Sequence, residues 1–284
     1  MRMRRVAVGW LMTVKELSRS RFVLTLLLTI PTIFYTLVAL TSTERTIAFR
    51  LASVSEDTIA SVSERSEALV FIGLASVGLL TAFVAMTFVQ KGVEANHRLV
   101  LCGYRPAELV AAKLAALMCV MFIVGAYACA ALPIFFRPTR VLGTLLGFLL
   151  GGWVYGCYGL FVGAIVRREL EGILCVVLLA NVDVGWLQNP LYYSEAQNRA
   201  IIRWLPAYFP SQVSMVSAFS DHSVERALLG GLAYGGTFLV VAMALFWRRM
   251  RVRTAGEPSL SSPLGPPFLG AQGSADDTMH RRGS

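Results

Sequence analysis

The residue types from which active sites are built are sparse in this chain and lack the spacings that chemistry requires. The three histidines, His97, His222 and His280, stand far apart. Neither a His-Glu-x-x-His helix face nor any other metal-ligating spacing occurs, so no metal site is expected. No Gly-x-x-x-x-Gly-Lys-Ser/Thr loop is present to wrap a phosphate chain, so the chain is not expected to hydrolyse nucleotide itself. There is no Gly-x-Ser-x-Gly elbow for a nucleophilic serine, and no pair of carboxylates inside an apolar segment that could share acid–base work. The expectation is a protein with no catalytic residue and no cofactor of its own. Two polar groups remain. Glu94, His97, Arg98 and Arg105 lie in a charged connection, and Asn181 and Asp183 lie near the end of an apolar run.

The elements that must carry these residues follow from composition. Of the 284 residues, 56% are hydrophobic and only 15% charged, against about a quarter charged in soluble chains. The apolar residues fall into blocks of the length that a helix needs to cross a bilayer, roughly 20 residues at 1.5 Å each. Six such blocks are read: Phe22–Leu40, Ala68–Val89, Val110–Phe135, Val141–Val166, Gly172–Trp186 and Ala227–Trp247. The expected fold is therefore all-α, a single six-helix membrane domain over residues 22–247.

The net charge of +9 does not imply nucleic acid, because the basic residues crowd beside the apolar blocks: Met1–Arg21, Lys91–Lys113, Arg167–Arg168 and Arg248–Arg253. That distribution places both termini in the cytoplasm by the positive-inside rule, with Thr41–Glu67 and Gln188–Arg226 outside. Arg137 and Arg140 in a short outer turn run against the trend. The odd five cysteines lack Cys-x-x-Cys spacing and four lie in apolar blocks, as packing residues do.

Residues 1–21 carry Val6, Trp10, Val14 and Leu17 at helical spacing, with Arg5, Lys15, Glu16 and Arg19 largely elsewhere around the helix. This suits an amphipathic helix lying in the cytoplasmic interface. Pro31 falls mid-span and should kink the first block. In the fourth block Gly143, Gly147 and Gly151 are four apart, as are Gly152 and Gly156, and Gly159 and Gly163, a pattern for close helix packing. Residues 188–226 mix prolines with aromatic residues and are expected to form short interfacial or re-entrant helices at the outer surface. Residues 248–284 begin basic and continue rich in Gly, Pro and Ser, the composition of a disordered tail.

Two readings of Asp183 stay open. A carboxylate at bilayer centre costs about 2.5–3.5 kcal/mol on insertion scales, which marks such residues as functional and makes Asp183 and Asn181 candidates for a substrate pathway. The fifth block is short, however, so Asp183 can instead sit at the outer surface and make structural hydrogen bonds; this plainer reading is favoured. In the Gln90–Lys113 connection, residues 93–101 read as a short charged helix ended by Gly103, with Pro106 starting the next helix.

With these residues in view, the chain resembles the ABC-2 family of exporter permeases. The family's order of an acidic residue, Arg-Leu, a Pro and a Lys entering the third span is matched by Glu94, Arg98-Leu99, Pro106 and Lys113. The Gly159–Gly172 exit from the fourth block and Leu205–Gln212 before the sixth are also similar. The spacing departs from the pattern at Cys102–Arg105, where the proline is displaced.

The resemblance covers roughly Lys15–Arg251. It implies a multi-pass cell-membrane permease, working as a homo- or heterodimer with a second permease subunit and a separate ABC ATPase subunit that holds ATP and Mg. Residues 94–101 would be the coupling helix, with Glu94, His97, Arg98 and Arg105 meeting the ATPase. The cargo would be amphipathic or hydrophobic, such as a drug or lipid. The alternative from another class is a non-transporting membrane scaffold or immunity-type protein. A secondary transporter would call for internal repeats with broken helices.

Overall fold

The computed structural model describes residues 2–50, 59–90, 106–166, 168–188 and 198–254. Six helices are long and apolar enough to cross a membrane: Val23–Thr41, Glu64–Gln90, Glu108–Ile134, Val141–Ile165, Glu169–Leu187 and Glu225–Arg248. All six apolar blocks thus form helices, and their limits shift by only a few residues. Intrahelical hydrogen bonds satisfy every backbone group of such a segment, which is why the apolar blocks take this form.

The chain begins with α1 (Arg2–Arg19), and Ser20 caps α2 (Arg21–Thr41) by accepting the Val23 N–H at 3.4 Å. Pro31 stands inside the continuous α2 helix with its ring buried, not facing outward. Strands β1 (Thr46–Arg50) and β2 (Ile59–Ser63) then form an antiparallel hairpin in which Ile47 faces Val62 and Thr46 faces Ser63. The all-helical expectation is corrected here. Five-residue strands with β-branched residues at facing positions satisfy each other's backbone groups outside the helical bundle.

Beyond the hairpin come α3 (Glu64–Gln90) and α4 (Pro106–Ala131), the latter extended by a tight turn at Leu132–Ile134. They are followed by α5 (Val141–Ile165), α6 (Glu169–Val182), a π-helical turn over Asp183–Leu187, the single turn α7 (Arg199–Arg203), α8 (Tyr208–Phe219) and α9 (Glu225–Thr254).

Helices α3 and α5 are the core of the bundle, and the other elements pack around this pair. The spaced glycines of α5 explain how so many neighbours can share one helix. Gly143 and Gly147 meet Ser217 and Ser214 of α8, and Gly151 meets Leu74 and Pro210. Gly152 and Gly156 meet Met121 and Leu117 of α4, while Gly159 and Gly163 meet the backbone of α3 at Ala82 and Met86. Each small-residue pair faces a different helix, and at Gly147, Gly159 and Gly163 the neighbouring backbone itself comes into contact. Away from the core, α2, α6 and α9 expose Leu24, Leu28, Leu37, Leu170, Leu174, Leu178, Leu229 and Val240. Such outward faces suit hydrocarbon and would be costly in water.

The Val6–Trp10–Val14–Leu17 stripe of α1 is half-buried, with Gly9 close to Ala112 of α4 and Leu17 against the main core. Val8, Leu11 and Met12 on the other side are exposed. The regular apolar stripe is thus consumed by packing on the protein.

Candidate functional site

Tyr155 lies fourteen residues after Val141 and ten before Ile165, about 21 Å and about 15 Å along the helix axis. It is therefore near the middle of α5, and its ring is buried. Its hydroxyl donates to Asp183 Oδ2 at 2.7 Å. The backbone N–H of Ala207 donates to the same oxygen, also at 2.7 Å. Asp183 is fully buried, and Oδ1 has no hydrogen-bond partner among the described residues.

The local chain explains how a carboxylate reaches this position. The π-helical turn over Asp183–Leu187 widens the end of α6 and places Asp183 against α5; such turns carry unsatisfied backbone and re-aim side chains. Next to it Gln188 is buried and donates from Nε2 to the Ile202 carbonyl at 3.0 Å. Tyr234 of α9 donates to the Trp204 carbonyl at 2.6 Å. Asp183, Gln188 and Tyr234 thus anchor the Ile202–Ala207 stretch, whose Ile202 and Ala207 are buried while Trp204 faces outward. Helix α8 then runs back along α5, from Pro210 beside Gly151 to Ser217 beside Gly143. Its far end is closed by backbone hydrogen bonds from Thr139 to Ala218 and from Arg140 to Ser217, and Arg140 also donates to the His222 carbonyl at 2.9 Å.

The segment before α9 thus begins at the level of Tyr155 and runs back beside α5 toward Gly143. Asp183 stands in the last turn of the fifth helix, Glu169–Leu187, and its side-chain partner Tyr155 comes from the middle of α5. The hydrogen bonds foreseen for Asp183 are present, at the level of the middle of α5, where the Ile202–Ala207 stretch packs beside the end of the fifth helix. An ionised group at this depth gains from the hydroxyl, and from the N-terminus of α8, where Ala207 stands just before the first helical residue. Asn181 does not join it. Its side chain is exposed and donates to the Val177 carbonyl of its own helix at 2.9 Å. Tyr155, Gln188 and Tyr234 were missed by sequence reasoning. The available signal was a large hydroxylated ring standing among the glycines of α5.

The second candidate group, Glu94, His97, Arg98 and Arg105, lies outside the described residues. The helices on either side of that connection are described. Lys113 of α4 donates from Nζ to the Phe88 carbonyl of α3 at 2.6 Å. Phe88 stands two residues before Gln90, so this bond ties α4 to the end of α3 that leads into the charged connection. Glu16 of α1 is within electrostatic reach of the same ammonium. Gln90 donates to the Val166 carbonyl at 3.3 Å, so the end of α3 is also joined to the end of α5.

Glu67, in the first turn of α3, is a second buried carboxylate, with Oε1 unpartnered among the described residues. No group of three or more His, Cys, Asp or Glu side chains suited to a metal ion occurs among the described residues. Compared with known protein families and with curated proteins, the sequence matches neither a family model nor a curated relative.

Proposed function

We propose that the chain is the membrane subunit of an ATP-driven exporter, lying in the cell membrane with both termini in the cytoplasm. It works as a dimer with a second permease subunit on a separate ATPase that holds ATP and Mg. The observation that carries this reading is the bracing around residues 91–105. Lys113 ties α4 to the last turn of α3, and Gln90 ties that turn to α5. A charged connection between helices joined in this way passes a push to the bundle core. A loop between loosely packed helices would absorb it. Glu94, His97, Arg98 and Arg105 supply charges that can register with a partner surface. Helix α1 lies along the cytoplasmic interface, with Lys15 and Arg19 toward the headgroups.

Three measurements test the reading. Tagged protein extracted in mild detergent from its native membrane should retain an ATPase subunit, and repeated recovery without one overturns the proposal. The double variant Glu94→Lys/Arg98→Glu should keep its melting temperature and its ATPase partner, yet lose transport coupled to hydrolysis. Unchanged transport moves the coupling contact elsewhere. Single cysteines replacing Ser55 and Ser194 should both react with impermeant maleimide from outside, and protection of either refutes the orientation.

A further inference from the structure

We propose that the Asp183 carboxylate and the aromatic rings beside it form a binding site for amphipathic organic cations. As the identity of the cargo this rests on the exporter reading; as a binding site it does not. The first observation is the state of the carboxylate. Two donors crowd onto Oδ2 and the Gln188 amide faces the carboxylate as well, but Oδ1 is buried and makes no hydrogen bond among the described residues. Neither Lys, Arg nor His forms an ion pair with Asp183 among those residues. A buried negative charge with half its acceptor capacity unused is costly, and a cation is the group that relieves it.

The second observation is independent and concerns the rings. From Phe209, two residues after Ala207, ring contacts run to Tyr234 at 6.2 Å, from Tyr234 to Phe238 at 5.4 Å, and from Phe238 to Tyr158 at 5.6 Å. These four side chains are half-buried, so the row lies along the flank of the bundle formed by α5, α8 and α9. Aromatic faces carry partial negative charge and hold soft, weakly hydrated cations such as quaternary ammonium and phosphonium groups. They also offer an apolar body the same contact as lipid. A neutral lipid has no use for the carboxylate, and a small inorganic cation has none for the rings; an organic cation uses both.

Asp183 is fully enclosed here, with 0% of its surface exposed, so the structure holds the closed form of the site. The start of α8 links the carboxylate and the ring row, since Ala207 donates to Asp183 Oδ2 and Phe209 begins that row. Its withdrawal breaks the hydrogen bond from Ala207 and leaves the one from Tyr155 in place.

The test measures binding of radiolabelled tetraphenylphosphonium to the full-length protein in detergent, with empty micelles subtracted. Saturable binding is expected, displaced by unlabelled tetraphenylphosphonium and not by neutral triphenylphosphine oxide. Asp183→Asn, which keeps an acceptor for Tyr155 and Ala207, should bind about tenfold more weakly. Absence of saturable binding, equal displacement by the neutral compound, or unchanged affinity in folded Asp183→Asn overturns the proposal. The competition arm uses the unsubstituted protein and stands even if the variant fails to fold. No ATPase is needed, so the two proposals fail separately. Binding without an ATPase partner removes the exporter and keeps the site; a partner without binding does the reverse.

Discussion

Tyr155 and Asp183 meet at 2.7 Å at the level of the middle of α5, so one hydrogen bond joins the glycine-rich core helix to the π-helical turn that ends α6. Because Ala207 donates to the same oxygen, the bond also determines where α8 starts. Three elements converge on one carboxylate.

Tyr155→Phe leaves the ring in place and removes only the hydroxyl, so Asp183 keeps a single donor. The protein should lose about 1–3 kcal/mol, the cost of leaving a buried polar atom under-satisfied. Asp183→Ala should cost more, since it strands both the Tyr155 hydroxyl and the Ala207 N–H. Thermal unfolding of the purified variants checks the order, and a Tyr155→Phe protein as stable as the parent would show the bond to be idle.

Gly147 of α5 and Gly236 of α9 are predicted to differ sharply in tolerance. A Cβ on Gly147 would stand 2.6 Å from the Ser214 backbone, whereas one on Gly236 meets nothing within 4 Å. Gly147→Ala should therefore push α8 outward and cost about 1–3 kcal/mol. Gly236→Ala should be neutral or gain about 0.5–1 kcal/mol from helix propensity. Membrane yield and melting temperature, compared side by side, check the contrast.

Lys113→Met keeps a long, flexible stem and removes the ammonium that donates to the Phe88 carbonyl. A loss of about 1.5–3 kcal/mol is expected for a charge-assisted hydrogen bond, with faster amide exchange confined to the last turn of α3. Lys113→Arg should recover part of the protection. Exchange that rises equally across α5 would point to general unfolding and not to the loss of this one bond.

The six helices were legible from the chain because crossing hydrocarbon imposes a length and an apolar composition that any window of about 20 residues reveals. The glycine spacing likewise announced that α5 would be approached closely. Which helices approach it was not legible, since Gly147, Gly156 and Gly159 offer the same absent side chain to α8, α4 and α3. The hairpin at Thr46–Ser63 was hidden because its two strands are five residues each, too short for alternation to stand out from a polar loop.

Asp183 marks the division most clearly. Its presence near the end of a short apolar run is a property of the sequence alone, and so is the cost of burying it. Its depth is not. The short run suggested a helix that stops at the surface, but Tyr155, Ala207 and the start of α8 close around the carboxylate. Local composition determines which segments leave water. Only the packing of helices distant in sequence decides how deep a polar group lies and which partners it finds, because those partners come from segments 24 and 28 residues away.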